Sequence, residues 1–398
     1  MISKQVQAVV AGHICLDIIP DLSKVSSDSG AFFQPGKLIE VGAATLSTGG
    51  AVSNTGLAMV KMGVPTALMG KIGDDPFGAV IRLLLKERWG VEEGMVVVPG
   101  EITSYTVVLN PGNLDRMFLH APAANNTFCA DDIDLEVVSQ SRLFHFGYPP
   151  LMRRIYENDG IELVKIFQRV KSLGVTTSLD LSLPDPNSPS GKADWMAILR
   201  SVLPYVDIFV PSLEEVLYMV DRKKYEKLLV EGDDDANIAV SASDLTELSD
   251  LLMSFGCKIV LIKCGVRGLY LRTASLESLK DLGKAKPASL VDWIKRELWH
   301  PSFHVDNFAG ATGSGDSSIA GFLTAFLNGY TSIESVQLGC AAGAFNVTAL
   351  DALSGLRSWS ETVAAVRKGW QVNEFVVTEP GWKLQPGGWW CGSFRNSS

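Results

Sequence analysis

A glycine-rich turn that leads directly into an apolar helix is the strongest chemical signal in the sequence. Residues 310–316 read Gly-Ala-Thr-Gly-Ser-Gly-Asp, and the apolar stretch begins immediately afterwards. Glycines let successive backbone N–H groups point into one concavity, and the start of a helix adds positive potential there. Such a turn suits a phosphate group, and the carboxylate of Asp316 can take a proton from an attacking hydroxyl. Taken alone, the pattern is equally consistent with Asp316 serving only as a helix N-cap.

A second glycine-rich junction between a loop and a helix begins at Gly49 and Gly50. It presents Asn54 about one helical turn later, where a side-chain amide can hydrogen-bond to the hydroxyls of a ligand. Asp17 lies near the end of the first apolar segment, and ligands of open α/β sheets bind at the carboxyl ends of strands. The plainer interpretation is a simple turn with a buried Asn54, and an isolated aspartate is more often a turn residue.

The composition and the spacing of residues exclude several classes of protein. The 398-residue chain has a formal net charge of −9, which disfavours binding of nucleic acid through a broad basic face. No run of 18 apolar residues occurs, so no membrane-spanning segment is expected. The six cysteines include no C-x-x-C pair, which indicates reduced thiols and a cytoplasmic protein. Residues 63–71 only superficially resemble a phosphate-binding P-loop, because their spacing is wrong and Ile72 follows the lysine.

Strand-like apolar segments alternate with helical ones along most of the chain. The main strand-like segments are residues 6–19, 67–72, 143–146, 176–181, 208–210 and 258–263. This alternation predicts an α/β fold with a mostly parallel sheet covered by helices on both faces. Extended stretches within about residues 33–46 and 101–121 predict a small separate β-sheet. Residues 274–304, with a charged helix near 289–298, are predicted to be a surface insertion, and 381–398 an aromatic tail that packs on the surface.

In their joint order and spacing, these features resemble the ribokinase-like (PfkB) family of sugar kinases, from about Val9 to about Val377. The motifs that carry the resemblance lie at residues 12–17, 49–58, 70–78, 116–125, 211–215, 261–270 and 312–316. The resemblance implies a three-layer α/β/α kinase domain over residues 1–380. It also implies that the two extended stretches form a lid, which excludes water from the site and often mediates dimers.

The same resemblance implies an ATP-dependent kinase that phosphorylates a hydroxyl of a small sugar or sugar-derived substrate. Asp316 would be the general base, and the backbone amides of Gly313, Ser314, Gly315 and Asp316 would form the anion hole for the transferred phosphoryl group. Glu215 would help to hold Mg²⁺ through water. Phosphoryl transfer needs mainly positioning, charge neutralisation and a base near the nucleophile, so these roles are physically coherent.

The remaining residues implied by the resemblance contact the two substrates. Those implied for the sugar are Asp17, Gly49, Gly50, Asn54 and Asn125. Those implied for ATP are Lys263, Gly265, Gly268 and Thr312. The expected partners are therefore a sugar, ATP and, through the lid, a second copy of the chain, without nucleic acid or membrane.

Three departures from the family pattern qualify these expectations. Cys15 stands where ribose-type members carry Asn, and Ala51 stands where some carry Lys, which argues against ribose as the substrate. Ser212 replaces the Asn of the Pro-Asn-x-x-Glu motif, which weakens the Mg²⁺ role of Glu215. Two alternatives stay open: a nucleoside kinase of the same family, and a non-catalytic binding protein on the kinase fold. The retained Asp316 and its glycine-rich turn argue against the second.

Overall fold

The structure is a computed structural model that describes residues 6–23, 25, 35–91, 94–110 and 117–393. The strands within these ranges alternate with helices for most of the chain. In chain order the strands are β1 (Ala8–Gly12), β2 (Cys15–Pro20), β3 (Ala44–Gly49), β4 (Thr66–Gly73), β5 (Met95–Val98), β6 (Tyr105–Leu109), β7 (Met117–Ala121), β8 (Leu143–Gly147), β9 (Thr176–Leu179), β10 (Ile208–Phe209), β11 (Ile259–Lys263), β12 (Leu269–Thr273), β13 (Glu297–His300), β14 (Lys383–Leu384) and β15 (Trp390–Cys391).

The helices of the described residues separate most of the parallel strands. In chain order they are α1 (Ala51–Lys61), α2 (Pro76–Trp89), α3 (Leu135–Gln140), α4 (Arg153–Ser172), α5 (Trp195–Val202), α6 (Leu213–Val220), α7 (Arg222–Glu231), α8 (Ala236–Ala239), α9 (Ala242–Ser254), α10 (Leu276–Leu279), α11 (Ser314–Leu327), α12 (Ser332–Asn346) and α13 (Trp359–Arg367). Helix α4 is interrupted at residues 157–160, whose backbone angles are not helical.

One large sheet forms the centre of the described chain, in the order β14-β15-β13-β12-β11-β10-β9-β8-β1-β4-β5. The strands from β11 to β5 in this order run parallel, whereas β12, β13, β15 and β14 continue the sheet in antiparallel pairs. All five residues of β1 are buried, as expected for a strand covered on both faces. The predicted mostly parallel sheet is confirmed.

Hydrophobic cores lie on both faces of this sheet, because successive strand residues point to opposite sides. Val9 and Val260 face one core, which α4, α5, α6 and α9 cover. Their neighbours Val10 and Leu261 face the other core, which α1, α11 and α12 cover. The two cores establish the predicted three-layer α/β/α arrangement, with the helix that follows the glycine-rich turn packed directly on the sheet.

A smaller sheet in the order β3-β2-β6-β7 forms the predicted lid. The sequence prediction was wrong about its first strand, because residues 6–19 do not form one strand. β1 ends at Gly12 in the central sheet, and β2 begins at Cys15 in the lid, so one mainly apolar segment contributes a strand to each of the two sheets. Strand β3 covers 44–49, later than the predicted 33–46. Residues 33, 34 and 111–116 lie outside the described part of the chain.

Residues 274–304 were predicted to be a surface insertion, and for their last part this is wrong. The helix expected near 289–298 is absent: a short 3₁₀ turn at Val291–Trp293 precedes β13, which is buried within the sheet. The charge that suggested a surface is neutralised inside, because Glu297 accepts hydrogen bonds from Arg272 at 2.9 Å and from Tyr270 at 2.8 Å. The described part of the aromatic tail likewise joins this sheet, through β14 and β15.

The cysteines and the helices bear on two further expectations. All six cysteines lie in the described ranges and none forms a disulfide, in agreement with the predicted free thiols. Within the described residues, no helix combines the length and the apolar character needed to cross a membrane.

Candidate active site

The glycine-rich turn places Asp316 in the first turn of α11, where its side chain is almost completely buried. The helix begins after Gly313, whose φ of 73° lies in the left-handed region that glycine adopts without strain. A Cβ atom at this position would lie 2.5 Å from the Cβ atom of Ala352, so the turn has no room for a side chain. The turn thus brings one carboxylate to the start of a helix, at the predicted place.

Three side chains donate hydrogen bonds to the carboxylate of Asp316. Asn54 Nδ2 lies 3.1 Å from Oδ2, and Thr55 Oγ1 lies 3.1 Å from Oδ1. The hydroxyl of Tyr148 lies 2.9 Å from Oδ1 and 2.7 Å from Oδ2. The single hydroxyl proton of Tyr148 is shared between the two oxygens, so three donors meet a carboxylate that offers about four lone-pair positions. These donors hold the carboxylate in one orientation and leave room for a further hydrogen bond.

The surroundings of Asp316 act on its pKa in opposite directions. Burial raises the pKa, because the charged form loses its hydration. The hydrogen bond from Tyr148 and the positive charge of Lys263 lower it, since both stabilise the carboxylate, but the net shift is upward from 3.8. A carboxylate with a raised pKa is a better proton acceptor at neutral pH than an exposed aspartate.

A second charged cluster lies beside Asp316, at the ends of the neighbouring strands. Lys263, the last residue of β11, places its Nζ atom 2.6 Å from Asp180 Oδ1 and 3.9 Å from Glu215 Oε2. Burial lowers the pKa of Lys263, but the carboxylates of Asp180 and Glu215 outweigh this effect and raise it. Three carboxylates and one ammonium group therefore share this region, which leaves an excess of negative charge when all are ionised.

This excess suits a divalent cation, and the geometry offers it oxygen ligands. Asp180 Oδ2 is buried without a hydrogen-bond partner among the described residues. An unpartnered buried carboxylate oxygen is costly, and coordination of Mg²⁺ would satisfy it. Glu215 lies on the other side of Lys263, where its Oε2 accepts a 2.7 Å hydrogen bond from the Ser212 amide. Asp180 and Glu215 are thus the residues that fit Mg²⁺.

Ser212 has a clear structural role where the family carries Asn. It is the N-cap of α6, its hydroxyl accepts from the Glu215 amide at 3.4 Å, and Glu215 returns a bond to the Ser212 amide. This reciprocal pair is a capping box, which serine forms well. The substitution therefore preserves the helix start that orients Glu215.

A cavity of about 380 Å³ opens next to the start of α11. It is large enough for a small-molecule ligand. Five of its lining residues were predicted for ATP or for the anion hole. Those predicted for ATP are Lys263, Gly265 and Gly268, and those predicted for the anion hole are Ser314 and Gly315. Phe303, Val305 and Phe308 add an apolar wall. Thr312 is not part of the lining.

The first turn of α11 only partly matches the predicted anion hole. The Ser314 amide donates to the carbonyl oxygen of Ala311 at 3.0 Å, so it is already bonded. Gly315 faces Lys263, since a Cβ atom on this glycine would lie 3.5 Å from Lys263 Cδ. The first amides of a helix have no acceptor within the helix, and no side chain caps this end. The amides of Gly315 and Asp316 are therefore the best placed for an anion.

Asp17 lies on lid strand β2, and the neighbouring strand makes room for it. A Cβ atom on Gly49 would lie 2.2 Å from Asp17 Oδ2, so this glycine allows the carboxylate to fit between the strands. The thiol of Cys15 donates to Asp17 Oδ1 at 3.3 Å. Burial raises the pKa of Asp17 to about 6, against the effect of its hydrogen bonds.

Two histidines connect the lid to the neighbourhood of Asp316. His13 follows β1, His120 belongs to lid strand β7, and their Nε2 atoms lie 3.3 Å apart. The ring of His13 also lies 6.2 Å from the ring of Tyr148, which donates to Asp316. Gly50 makes room for His13, because a Cβ atom there would lie 2.5 Å from His13 Nδ1. A continuous polar wall therefore runs from the lid to the buried carboxylate.

The side chain of Asn125 bonds to the backbone of the β1–β2 junction. Its Nδ2 donates to the Ile14 carbonyl at 2.8 Å, and its Oδ1 accepts from the Ile14 amide at 3.3 Å. Both side-chain atoms thus hold this junction, and the contact of Asn125 with a substrate stays a prediction. The residue supports the site indirectly, because Ile14 lies between His13 and Cys15.

Tyr148, Asp180 and Thr55 were not predicted to be site residues, and the contact between His13 and His120 was not predicted either. Asp180 follows a buried strand, and this position at the carboxyl end of β9 is a signal that could have found it. Tyr148 follows β8 in the same way and precedes two prolines. Its φ of 64° is unusual for a bulky residue, but the sequence does not reveal this angle.

The sheet, the lid and the helix start together define a class of fold, which the solved structures identify as ribokinase-like. A ribokinase from Arabidopsis thaliana, described with ribose and ATP, matches with a TM-score of 0.68 and 18% identity, over 92% of this chain and 99% of its own. A putative ribokinase II from E. coli, described with ATP and Mg²⁺, matches with a TM-score of 0.65 and 20% identity, over 91% of this chain and 99% of its own.

Sequence comparisons identify the family within this class. The model of the pfkB family of carbohydrate kinases matches residues 7–359. A probable fructokinase-4 from Arabidopsis thaliana is 25% identical over 368 residues, which are 90% of this chain and 95% of that protein. The chain belongs to the pfkB carbohydrate kinase family. The family match and the fructokinase relatives identify it as a sugar kinase.

Proposed function

We propose that this kinase transfers the terminal phosphoryl group of ATP to a hydroxyl of a small sugar, with Asp316 as the general base. One observation carries the proposal: a buried carboxylate lies at a helix start, between a nucleotide-sized cavity and a lid-covered polar wall. A base must lie within hydrogen-bond reach of the hydroxyl that it deprotonates. The sugar hydroxyl reaches Asp316 by replacing the hydroxyl of Tyr148, which has the same chemistry.

The start of α11 receives the negative charge of the transferring group. The amides of Gly315 and Asp316 point out of the helix, and the ammonium group of Lys263 lies beside Gly315. Fixed donors of this kind stabilise developing charge without reorganisation, which makes them efficient in a buried site. Gly265 and Gly268 line the same cavity and allow close approach of the nucleotide. Thr312 stays a predicted nucleotide contact.

Mg²⁺ would be held by Asp180 and Glu215, with water completing its coordination. The ion supplies neutralisation of the phosphate charge. Lys263 contacts both carboxylates, and its positive charge compensates part of theirs. Asp316 is held by Asn54, Thr55 and Tyr148 instead, so the proposed base and the proposed metal ligands are different residues.

The sugar would bind between the lid and the carboxyl ends of the strands. Asp17 supplies a hydrogen-bond acceptor, as the sequence predicted, and Asn54 lies next to the attacking hydroxyl through its contact with Asp316. The relatives named fructokinases make fructose the first sugar to examine. A homodimer through the lid fits the exposed Phe118 and Leu119 of β7, whose apolar side chains would be covered by a second lid.

The test is ATP consumption by the full-length chain with a panel of sugars and nucleosides, fructose and ribose included. With the best substrate, Asp316→Asn should lower kcat by about 10²-fold or more, since a general base contributes at least that much. Nucleotide binding, measured by calorimetry, should be retained. Asp194→Asn is the matched control, because Asp194 is the N-cap of α5 and asparagine caps equally well.

The outcomes separate the alternatives. Turnover with nucleosides and none with sugars would move the assignment to a nucleoside kinase of the same family. ATP binding without turnover on any acceptor would favour a non-catalytic binding protein. Wild-type turnover in Asp316→Asn would refute the assignment of the base.

A further inference from the structure

The polar wall contains a cluster of side chains to which the proposed phosphoryl transfer assigns no chemical step. His13, Cys15 and His120 each direct one potential ligand atom to a common point, and these atoms all lie within 4.8 Å of one another. They come from two parts of the fold: His13 follows β1 in the central sheet, while Cys15 and His120 belong to lid strands β2 and β7.

We propose that His13, Cys15 and His120 form a binding site for Zn²⁺ that connects the lid to the main domain. Two imidazole nitrogens and one thiolate are ligands that zinc prefers, whereas Mg²⁺ and Ca²⁺ prefer oxygen. Three protein ligands leave the fourth tetrahedral position to a water molecule. On binding, the Cys15 thiol loses its proton to the buffer and its sulfur donates to the metal.

The separation of the histidines agrees with this geometry. In a tetrahedral site with Zn–N bonds of about 2.05 Å, the two nitrogens lie about 3.3 Å apart. The Nε2 atoms of His13 and His120 are separated by 3.3 Å. The corresponding separation of nitrogen and sulfur is about 3.6 Å for a Zn–S bond of about 2.3 Å. The ligand atoms all lie within 4.8 Å of one another, so metal binding requires the sulfur and the nitrogens to approach each other by about 1 Å at most.

Thr106 contacts two of the three proposed ligands, His120 and Cys15, and can orient them. Its Oγ1 lies 3.0 Å from His120 Nδ1 and 3.5 Å from Cys15 Sγ. Metal-bound histidines usually bond a second group through the other ring nitrogen, which fixes the ring and its tautomer. This contact directs Nε2 of His120 toward His13, whose ring makes no other hydrogen bond among the described residues.

The charge beside the cluster favours a cation rather than an anion at this point. The carboxylate of Asp17, next to Cys15, adds negative potential on the same side.

Direct binding is measured with Co²⁺ as a spectroscopic probe on the full chain without an affinity tag. We expect one Co²⁺ per chain, with intense visible bands of a four-coordinate site and a near-ultraviolet thiolate charge-transfer band. Cys15→Ser should abolish the charge-transfer band, and Cys391→Ser should leave it unchanged. His120→Ala should weaken binding by about 100-fold or more, and Thr106→Val by about 10- to 100-fold, as for groups behind metal ligands.

A second measurement tests the connection between the lid and the main domain. The β7 amides exchange their hydrogens when this strand detaches from the main domain. With Zn²⁺ at about 100 times its Kd, this exchange should slow by about 100-fold, because the bound ion stabilises the attached state. The effect should disappear in Cys15→Ser and persist in His304→Ala, which removes a histidine outside the cluster. Neither measurement needs turnover, so their outcome is independent of the proposed kinase activity.

Clear results would overturn the proposal. The wild type would refute it by showing no charge-transfer band, and Cys15→Ser by keeping this band. Full displacement of Co²⁺ by excess Mg²⁺ would also refute it, because the ion would then be bound at the carboxylates. Unchanged β7 exchange with bound Zn²⁺ would refute the connection of lid and domain.

Discussion

Removing one hydroxyl tests whether Tyr148 controls the basicity of Asp316. In Tyr148→Phe the carboxylate loses the donor that contacts both of its oxygens, at 2.9 and 2.7 Å. A hydrogen bond to a charged group contributes about 1.5–3 kcal/mol, and 1.36 kcal/mol corresponds to one pKa unit. The pKa of Asp316, already raised above 3.8 by burial, should therefore rise further in this variant.

The sign of the effect on activity follows from the role of the base. As the proposed general base, Asp316 must be deprotonated to act, so activity should be lost as the pH falls through its pKa. The acidic limb of kcat/KM reports the free enzyme, in which Tyr148 is bonded to Asp316, and this limb should move to higher pH by about 1–2 units. The limb of kcat reports the substrate complex and should move less, because in the proposed complex the substrate hydroxyl replaces that of Tyr148.

The assay is a pH series of initial rates with the sugar that the substrate panel identifies. Tyr270→Phe is the matched control, because Tyr270 also donates a buried hydrogen bond to a carboxylate, Glu297 Oε1 at 2.8 Å. It should lose stability without a shift of the limb. An unmoved limb in Tyr148→Phe, a shift to lower pH, or an equal shift in Tyr270→Phe would refute the reasoning.

Two further predictions concern the proposed Mg²⁺ ligand Glu215 and the second glycine-rich junction, at Gly49 and Gly50. Glu215→Gln keeps the capping box but removes a charge, and it should raise the Mg²⁺ concentration for half-maximal rate by about 10-fold. The control Glu214→Gln, which changes the neighbouring residue, should leave this Mg²⁺ concentration unchanged. Equal effects of both variants would exclude a specific role. Gly50→Ala should lower the unfolding free energy more than Gly63→Ala, because both have φ near 87° but only Gly50 has atoms within 3 Å of the added Cβ. Equal melting temperatures would contradict this.

The sequence predicts the elements of the site better than their connections. The turn at residues 310–316 can be predicted because its glycines and the apolar helix that follows lie close together in the chain. The two strands within residues 6–19 cannot be predicted in this way, since the sequence of this segment does not show that β1 and β2 belong to different sheets. The Asn125 side chain completes this junction, and only the folded chain reveals that its amide serves Ile14.

Buried charge explains the other errors. Glu297 contributes to the charge that makes residues 289–298 resemble a surface segment, because its partner Arg272 lies on the preceding strand, outside that segment. Asp180 was overlooked for a similar reason: at the end of a buried strand, a single aspartate has no visible partner until the fold places Lys263 beside it. Sheet formation brings together charged residues that no local sequence pattern connects.

The geometry around Asp316 shows why the separate motifs of the chain depend on one another. The carboxylate comes from α11, but its donors come from α1 and from the residue after β8, while the charge beside it comes from β11. Each donor is set by a strand end or a helix start, so the carboxylate of Asp316 is oriented by the edge of the sheet as well as by its own turn. A change that shifts α1 against α11 should therefore alter the proposed base without touching it, because Asn54 and Thr55 would move together away from the two carboxylate oxygens.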